Sequence, residues 1–493
     1  MNPIKQLASQ TAVYGLSSIV GRVLTYLLVP IYTRVFLPEE YGIVNEMYAY
    51  VSLLIVVFTY GFEIGFFRFS QSEPDKKKVY STALISLLST SGVFVLFAVF
   101  FAQSIAETLR YPDNREYVVW FALIIALDAI ASIPFALLRS LNKAKRFATI
   151  KLVGIIVNVL LNLFFIILCP FMKKHGYMEG FIDLVYKGKV GVGYIFIANL
   201  ISSTVTVLFL LPEILRIKYQ FDFNLWKRIM RYSLPLLLVG LAGIVNETMD
   251  RIFLKYLLPK NIGLYQVGIY GACYKISIIM TLFVQAFRFA AEPFFFSHAK
   301  NENAKQIYAD VMKYFVIICS FIFLLVMLYI DVFKIFVGKD YYEGLPVVPI
   351  LLLANLCLGI YYNLSIWYKL TGQTKFGALI SIFGALLTIV LNLWLIPIIG
   401  YMGSAWATLI CYASMMILSY IFGQKYYNVA YNYKKILGYI ALSLILYVIS
   451  IYIKPENNIL LYSFNTILLV VFGIAVLYSE KNTLSLSSFL KKK

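Results

Sequence analysis

Charged side chains are scarce in this sequence. Asp, Glu, Lys and Arg together make up 14% of its 493 residues, whereas about a quarter of an average soluble domain is charged. Hydrophobic residues make up 61%, and the mean hydropathy is +0.81. Apolar runs of about 20 residues recur along the whole chain. These features exclude a soluble globular protein and indicate an all-α polytopic membrane protein.

Residues that carry enzyme or metal chemistry are also scarce. The two histidines, His175 and His298, both fall in predicted loops, and no GxxxxGK[ST] motif of an ATPase is present. The longest loop, about Pro170 to Gly191, could hold a short amphipathic segment but no domain. We therefore expect no enzyme, no metal site and no cofactor, which disfavours a membrane polymerase or glycosyltransferase. Single cysteines without disulfide or metal spacing stand in apolar stretches: Cys169, Cys273, Cys319, Cys357 and Cys411.

About fourteen membrane-spanning helices are predicted from the apolar runs. The first run, Thr11 to Phe36, is too long for the core of a signal peptide, and no small-residue cleavage site follows it. The predicted spans are 11–36, 42–67, 79–104, 116–138, 149–169, 192–215, 233–257, 264–290, 311–335, 345–368, 376–398, 401–422, 436–453 and 459–478.

Positive charge is in excess, with 43 Lys and Arg against 24 Asp and Glu, a net charge of +19. Cytoplasmic loops of membrane proteins collect Lys and Arg. The loops on the same side as both termini carry most of the excess, although the loop after the fifth span is an exception. We expect both termini in the cytoplasm, with membrane lipids as secondary partners of the basic loops. The charge therefore calls for no nucleic-acid partner.

The chain repeats itself at an offset of six spans. "RVFLPEEYG" at Arg34 matches "KYLLPKNIG" at Lys255, and "KRFATIKLVGIIVNVLLNLFF" at Lys145 matches "TKFGALISIFGALLTIVLNLWL" at Thr374. The offsets are similar, about 221 and 230 residues. An even number of spans makes this a parallel repeat about an axis along the membrane normal. We expect two six-helix lobes, 1–219 and 220–432, and a terminal helix pair in 433–493 with a basic tail.

Polar residues within the spans are expected to line a cavity between the lobes, because charge in hydrocarbon is costly. Near the ends of spans, Arg34 and Lys255 are expected to reach the membrane surface with their side chains. The expected cavity set is Arg22, Glu46, Glu63, Asp128, Asn246, Glu247, Asp250, Arg251 and Lys275.

The seventh span carries a polar seam. Glu247 and Arg251 are four residues apart and share a helical face, and Asn246 and Asp250 share the neighbouring one. The seam is either a cavity wall, in which Arg251 contacts an anionic ligand, or a neutralised pair that fixes helix packing. Aromatic residues make up 17% of the chain and serve interfacial belts and packing or form sugar-stacking faces.

Arg22 has no acidic residue in its own helix. It either contacts an anion in the cavity or pairs with Glu46, Glu63 or Asp128. Lys275 leaves the same choice between an anion and an acidic partner. Glu63 and Asp128 themselves either carry a coupling ion, H⁺ or Na⁺, or serve as partner carboxylates.

Two long runs resemble the polysaccharide repeat-unit flippases of the Wzx type. They are "SSIVGRVLTYLLVPIYTRVFLPEEYGIVNEMYAYVSLL" and "LPLLLVGLAGIVNETMDRIFLKYLLPKNIGLYQVGIYGACYKI", and "FRFAAEPFFF" at Phe287 extends the likeness. These flippases belong to the multidrug, oligosaccharidyl-lipid and polysaccharide exporter superfamily, with the multidrug and toxin extrusion antiporters and the lipid II flippase. The resemblance covers the chain from about Leu7 to the twelfth span.

The resemblance implies a transporter that flips undecaprenyl-diphosphate-linked oligosaccharide repeat units across the bacterial inner membrane by alternating access. The headgroup would pass through a cationic central cavity while the polyprenyl tail stays in lipid. Arg22 and Arg251 would then contact the diphosphate, with Lys275 as a further contact. Implied partners are the lipid-linked oligosaccharide and the polysaccharide polymerase and glycosyltransferases of the same O-antigen or capsule pathway. The protein itself is expected to be a monomer.

Two departures from the superfamily's patterns narrow the range of expected substrates. The lipid II flippase carries a further cavity arginine where this sequence has Leu28, which places lipid II itself in doubt. Cation-coupled drug antiporters typically carry an acidic residue in the first helix, and this first span has none. A cation-coupled multidrug exporter on the same fold is the alternative function.

Overall fold

The described part of the chain is helical throughout. The computed structural model describes residues 20–299 and 301–481, without the side chain of Lys189, and no strand occurs among them. Thirteen helical segments of this part are long and apolar enough to cross a membrane. The predicted all-α polytopic architecture is confirmed. The predicted first span, 11–36, lies partly outside the described residues.

The helices are α1 over residues 20–26, α2 Val29–Val35, α3 Pro38–Thr59, α4 Phe62–Ser72, α5 Lys76–Phe100, α6 Ala102–Thr108, α7 Arg115–Ser140, α8 Ala144–Leu163, α9 Cys169–Lys174, α10 Glu179–Val185, α11 Gly193–Leu215, α12 Phe223–Leu257, α13 Lys260–Ile276, α14 Ile278–His298, α15 Ala304–Leu328, α16 Ile330–Phe333, α17 Val347–Leu364, α18 Ile366–Leu370, α19 Thr374–Ile399, α20 Tyr401–Tyr426, α21 Tyr433–Tyr452 and α22 Asn458–Ser479. A π-helical turn, Phe164–Leu168, joins α8 to α9.

Helix starts follow from side chains that satisfy the free backbone N–H groups of the first turn. Asp75 accepts hydrogen bonds from the N–H groups of Lys77 and Lys78 at the start of α5, and Asp222 accepts from Leu225 at the start of α12. Because this cap stands at Asp222, α12 begins ten residues before the predicted start of the seventh span, 233.

Two predicted spans are broken helices. The second predicted span, 42–67, consists of α3, which ends at Thr59, and α4, which begins at Phe62. The helix is broken between them because Tyr60 and Gly61 adopt positive φ of 33° and 72°. The eighth, predicted as 264–290, consists of α13 and α14, which are separated at Ser277. Neither break was predicted, since an uninterrupted apolar run carries no mark of it, but Pro38–Ser72 still has the length and composition of one membrane span.

The first of two compact units comprises the described residues up to Gly271 together with Asn392–Gly400. In it α7 packs on α5 and α11, α8 packs on α11, and α12 packs along α3 and α4. A core around Phe62, Phe66, Tyr80 and Leu84 lies at the centre of this packing.

The second unit comprises the described residues of Ala272–Leu391 and those from Tyr401 onward. Here α17 packs on α20, and α15 packs on α21 and α22. The buried carboxylate of Glu480, just after α22, binds Lys313 of α15 and Lys435 of α21, each at 2.7 Å, and accepts the Tyr439 hydroxyl at 2.7 Å. This cluster ties α21 and α22 to α15. The predicted lobes, 1–219 and 220–432, stay a prediction.

Candidate functional site

The polar seam of α12 is centred on Asp250. Its carboxylate binds the Arg251 guanidinium at 2.7 Å and accepts the hydroxyl of Tyr270 at 2.7 Å, and all three side chains are buried. Arg251 also donates to the backbone carbonyl of Glu247. The carboxylate that the structure pairs with Arg251 is thus that of Asp250, while Glu247 is exposed. Asn246 is buried one turn before Asp250.

The structure brings Arg22 to the same region of the first unit. Arg22 lies on α1 with an exposed side chain, and the hydroxyl of Tyr26, one turn later, is within electrostatic range of Arg22, Glu247 and Arg251. α1 itself lies against α8, since a Cβ on Gly21 would meet the side chain of Ile155. Two of the three predicted headgroup contacts therefore lie within electrostatic range of one tyrosine.

The three acidic residues offered as partners for Arg22 have partners elsewhere. Glu46 pairs with Lys255, Glu63 pairs with Arg139, and Asp128 accepts the hydroxyl of Ser203 at 2.8 Å.

Lys275, the remaining predicted headgroup contact, is half-buried near the end of α13 in the second unit.

Glu46 and Lys255 form a buried ion pair between α3 and α12. The distance is 2.8 Å, with side-chain exposures of 0% and 3%. The expectation that Lys255 reaches the membrane surface was wrong, because its ammonium also donates to the carbonyl of Leu109 and lies 3.7 Å from the centre of the Tyr111 ring. Arg34 is exposed and donates to the carbonyl of Pro30.

Tyr111 completes this pair from the loop before α7. Its hydroxyl donates to the Glu46 carboxylate. Burial raises the pKa of Tyr111 well above its usual range, so the phenol keeps the proton that it donates. Close backbone packing surrounds the pair, because a Cβ on Gly42 of α3 would meet the carbonyl of Leu264 on α13. α3, α12 and α13 are therefore joined by both charge and backbone contact.

A polar cavity of about 530 Å³ lies among α4, α7, α8 and α11 of the first unit. Two predicted residues, Glu63 and Asp128, line it together with Arg139 and Lys151, which the sequence reasoning did not assign to a site. Its polar lining is Glu63, Asp128, Ser132, Arg139, Lys151, Asn199, Ser202, Ser203 and Thr206.

The sequence did carry a signal for this cavity. Asn199, Ser202, Ser203 and Thr206 stand at i, i+3, i+4 and i+7 in the otherwise apolar helix α11, which puts them on one face. Lys151 was missed because it stands close to the basic cluster that marks the start of its span. Among the described residues, no group of three or more His, Cys, Asp or Glu side chains could hold a metal ion.

Solved structures show which class of protein has this fold. The chain superposes on the lipid II flippase MurJ in its inward closed conformation with a TM-score of 0.68, at 16% identity, covering 94% of this chain and 98% of that one. An inward-facing multidrug resistance MATE family transporter of the MOP superfamily gives a TM-score of 0.62 at 15% identity, with 82% and 93% covered. The MATE multidrug transporter DinF-BH gives 0.61 at 17% identity, with 87% and 97% covered. The fold is that of membrane flippases and transporters.

Residues 7–298 match the model of the polysaccharide biosynthesis protein family. The chain therefore belongs to this family, which confirms the family expected from the sequence. No curated protein matches the sequence. Family and fold together support a multi-pass membrane flippase or transporter of a lipid-linked substrate, and neither points to an enzyme.

Proposed function

We propose that this protein flips undecaprenyl-diphosphate-linked oligosaccharide repeat units across the bacterial inner membrane, in the assembly of a surface polysaccharide such as O-antigen or capsule. The observation that carries the proposal is that Arg22 and Arg251 both lie within electrostatic range of Tyr26 in the first unit. A flippase makes and breaks no covalent bonds. It must lower the free energy of moving a charged, hydrated headgroup through hydrocarbon, and fixed cations beside a polar cavity do so.

In this proposal Arg22 is the principal diphosphate contact. Its side chain is exposed, whereas the side chain of Arg251 is buried and lies 2.7 Å from the carboxylate of Asp250. Arg251 would then act partly by holding the local potential positive and partly by exchanging Asp250 for a phosphate. Lys275 stays a proposed further contact with the headgroup.

Two sources of free energy could drive net transport. A membrane potential acts on headgroup charge at about 2.3 kcal/mol per charge per 100 mV. Exchange of H⁺ or Na⁺ is the other source, and Asp128 is the better candidate for it, since Glu63 is engaged in an ion pair with Arg139. The protein would work as a monomer with both termini in the cytoplasm, beside the polymerase and glycosyltransferases of its pathway.

Complementation tests the proposal. The chain and its Arg22→Ala and Arg251→Ala variants are expressed in cells that lack their own repeat-unit flippase. We expect the wild type to restore surface polysaccharide, Arg22→Ala to restore little at equal membrane abundance, and Arg251→Ala to fall between them. Arg34→Ala is the matched control, because Arg34 is an exposed arginine of the neighbouring helix α2. Full restoration by Arg22→Ala would refute the headgroup assignment.

A cation-coupled multidrug exporter is the second candidate, favoured by the MATE-like fold and by the acidic residues of the cavity. It predicts drug resistance in a sensitive host that disappears with Asp128→Asn. Resistance without restored polysaccharide would replace the flippase proposal by this one.

A further inference from the structure

The cavity of the first unit has hydrogen-bond donors without partners. Among the described residues, no carboxylate lies within ion-pair distance of the Lys151 ammonium. That ammonium sits 5.7 Å from the ring centres of both Phe135 and Phe147. The Nε of Arg139 is buried and has no hydrogen-bond partner in the described structure, although the same guanidinium pairs with Glu63. A buried donor left unsatisfied costs free energy, so the Arg139 Nε, with the half-buried Lys151 ammonium beside it in the cavity lining, points to a ligand with oxygen acceptors.

Acceptors face the same space. The Asp128 carboxylate takes one hydrogen bond through Oδ1, from Ser203. The hydroxyls of Ser202 and Thr206 give their protons to the backbone carbonyls of Gly154 and Ser202, at 2.7 and 2.9 Å, which leaves their oxygens as acceptors. A fitting ligand therefore carries groups that both donate and accept.

The charges that line the cavity balance. Glu63 and Asp128 oppose Arg139 and Lys151, so the cavity attracts neither an anion nor a cation strongly. A volume of about 530 Å³ lies within the range of small-molecule pockets, about 300–1,000 Å³. The half-buried ring of Phe135 adds an apolar face against which C–H groups can pack.

We infer that this cavity is a subsite for an uncharged sugar ring, whose hydroxyls accept from Lys151 and Arg139 and donate to Asp128. The inference rests on the proposed function and deepens it. The diphosphate belongs near Arg22 and Arg251, whereas a sugar of the same headgroup enters the neighbouring cavity, since Lys151 lies within electrostatic range of Arg22. Hydroxyl groups are the common chemistry of all neutral sugars, so the subsite takes one ring without naming the sugar.

Protection of an introduced cysteine tests the subsite. Thr206→Cys places a thiol on the cavity wall, and Ser72→Cys places one on the exposed end of α4 as the control. Full-length protein in lipid nanodiscs is labelled with a water-soluble methanethiosulfonate reagent, with the wild type as background. The probes are glucose, galactose, N-acetylglucosamine and inorganic phosphate.

We expect at least one sugar to slow labelling of Thr206→Cys several-fold, phosphate to have no effect, and Ser72→Cys to be unprotected throughout. Adding Lys151→Met should raise the sugar concentration needed for protection about tenfold, the effect of losing one charged hydrogen bond. An unchanged melting temperature and elution profile of that variant separates lost binding from lost structure.

Three results would overturn the inference. They are a Thr206→Cys thiol that the reagent cannot reach, absence of protection by any of the sugars, and protection by phosphate equal to that by sugar, which would mark an anion site. The complementation result is independent of these measurements. Protection without complementation supports the subsite and refutes the flippase proposal. Complementation without protection supports the flippase proposal and refutes the subsite.

Discussion

Replacing Lys255 by methionine should destabilise the first unit more than any change at the surface of α12. The substitution leaves the Glu46 carboxylate, 0% exposed, without its ammonium partner, while the Tyr111 hydroxyl still donates to it. Removing one partner of a buried ion pair typically costs about 3–5 kcal/mol, because the other charge stays buried without compensation. Glu46→Gln should cost less, since glutamine still accepts from Tyr111 and Lys255 keeps the carbonyl of Leu109.

The double variant separates pair energy from general damage. Glu46→Gln with Lys255→Met removes both charges together, so its cost should fall short of the sum of the single costs by about 2–3 kcal/mol. The free energy of unfolding is measured on purified protein in mixed micelles by detergent titration.

The matched control lies at the other end of α12. Arg228 and Glu73 also pair at 2.7 Å, but their side chains are 55% and 23% exposed. An exposed pair contributes about 0–1 kcal/mol, so Arg228→Met should be nearly neutral. A Lys255→Met variant as stable as Arg228→Met, or additive costs in the double variant, would refute the view that this buried pair holds α3 to α12.

Three further predictions concern packing and pH. Gly42→Val should abolish stable expression, because the valine side chain would occupy the space of a backbone carbonyl of α13. Gly92→Ala should stabilise α5 by up to about 1 kcal/mol, because the space around Gly92 is open. Both effects are measured by fluorescence-detected size-exclusion chromatography of solubilised membranes. Glu480→Leu should loosen α21 and α22 and raise their hydrogen exchange, since it removes the common partner of three donors; unchanged exchange there would contradict the tether. The Lys78 ammonium holds the pKa of Asp222 below its usual value. Their ion pair therefore stabilises the protein at neutral pH, and this stabilisation is lost as the pH falls below about 4. Asp222→Asn should be less stable than wild type at pH 7 and equal to it in strong acid, as measured by thermal melts at both pH values.

Much of the fold could be predicted from the sequence, because the length of apolar runs and the position of caps act locally. Asp75 and Asp222 are the N-caps of α5 and α12. The "LP" turns at Leu37 and Leu258 precede the first turns of α3 and α13. The break at Tyr60 could not be predicted. The sequence of a hydrophobic helix with two positive-φ residues resembles that of an unbroken helix, since tertiary packing offsets the cost of the break.

Part of the site could be predicted as well. Polar residues within apolar spans singled out Arg22 and Arg251, which both lie within electrostatic range of Tyr26, and Glu63 and Asp128, which share a cavity. The residue with which each charged side chain forms an ion pair could not be predicted, because Glu46 and Lys255, for example, are 209 residues apart in the sequence. That contact depends on how helices pack rather than on spacing within one of them.

The polar face of α11 is a different case, because its signal was present in the sequence. Asn199, Ser202, Ser203 and Thr206 share one face of an apolar helix, and hydroxyl and amide groups at that spacing mark a cavity as well as charges do. Uncharged polar stripes should be weighed beside charges in any comparable span.

The most direct test of the flippase proposal is transport by the purified protein. Vesicles are prepared with a fluorescent undecaprenyl-diphosphate-linked oligosaccharide in both leaflets, and a membrane-impermeant quencher is added outside. We predict that wild-type protein makes inner-leaflet substrate available to the quencher, and that Arg22→Ala slows this loss of fluorescence at least tenfold while Arg34→Ala does not. Quenching that stops at the outer leaflet, as in protein-free vesicles, would contradict the proposal.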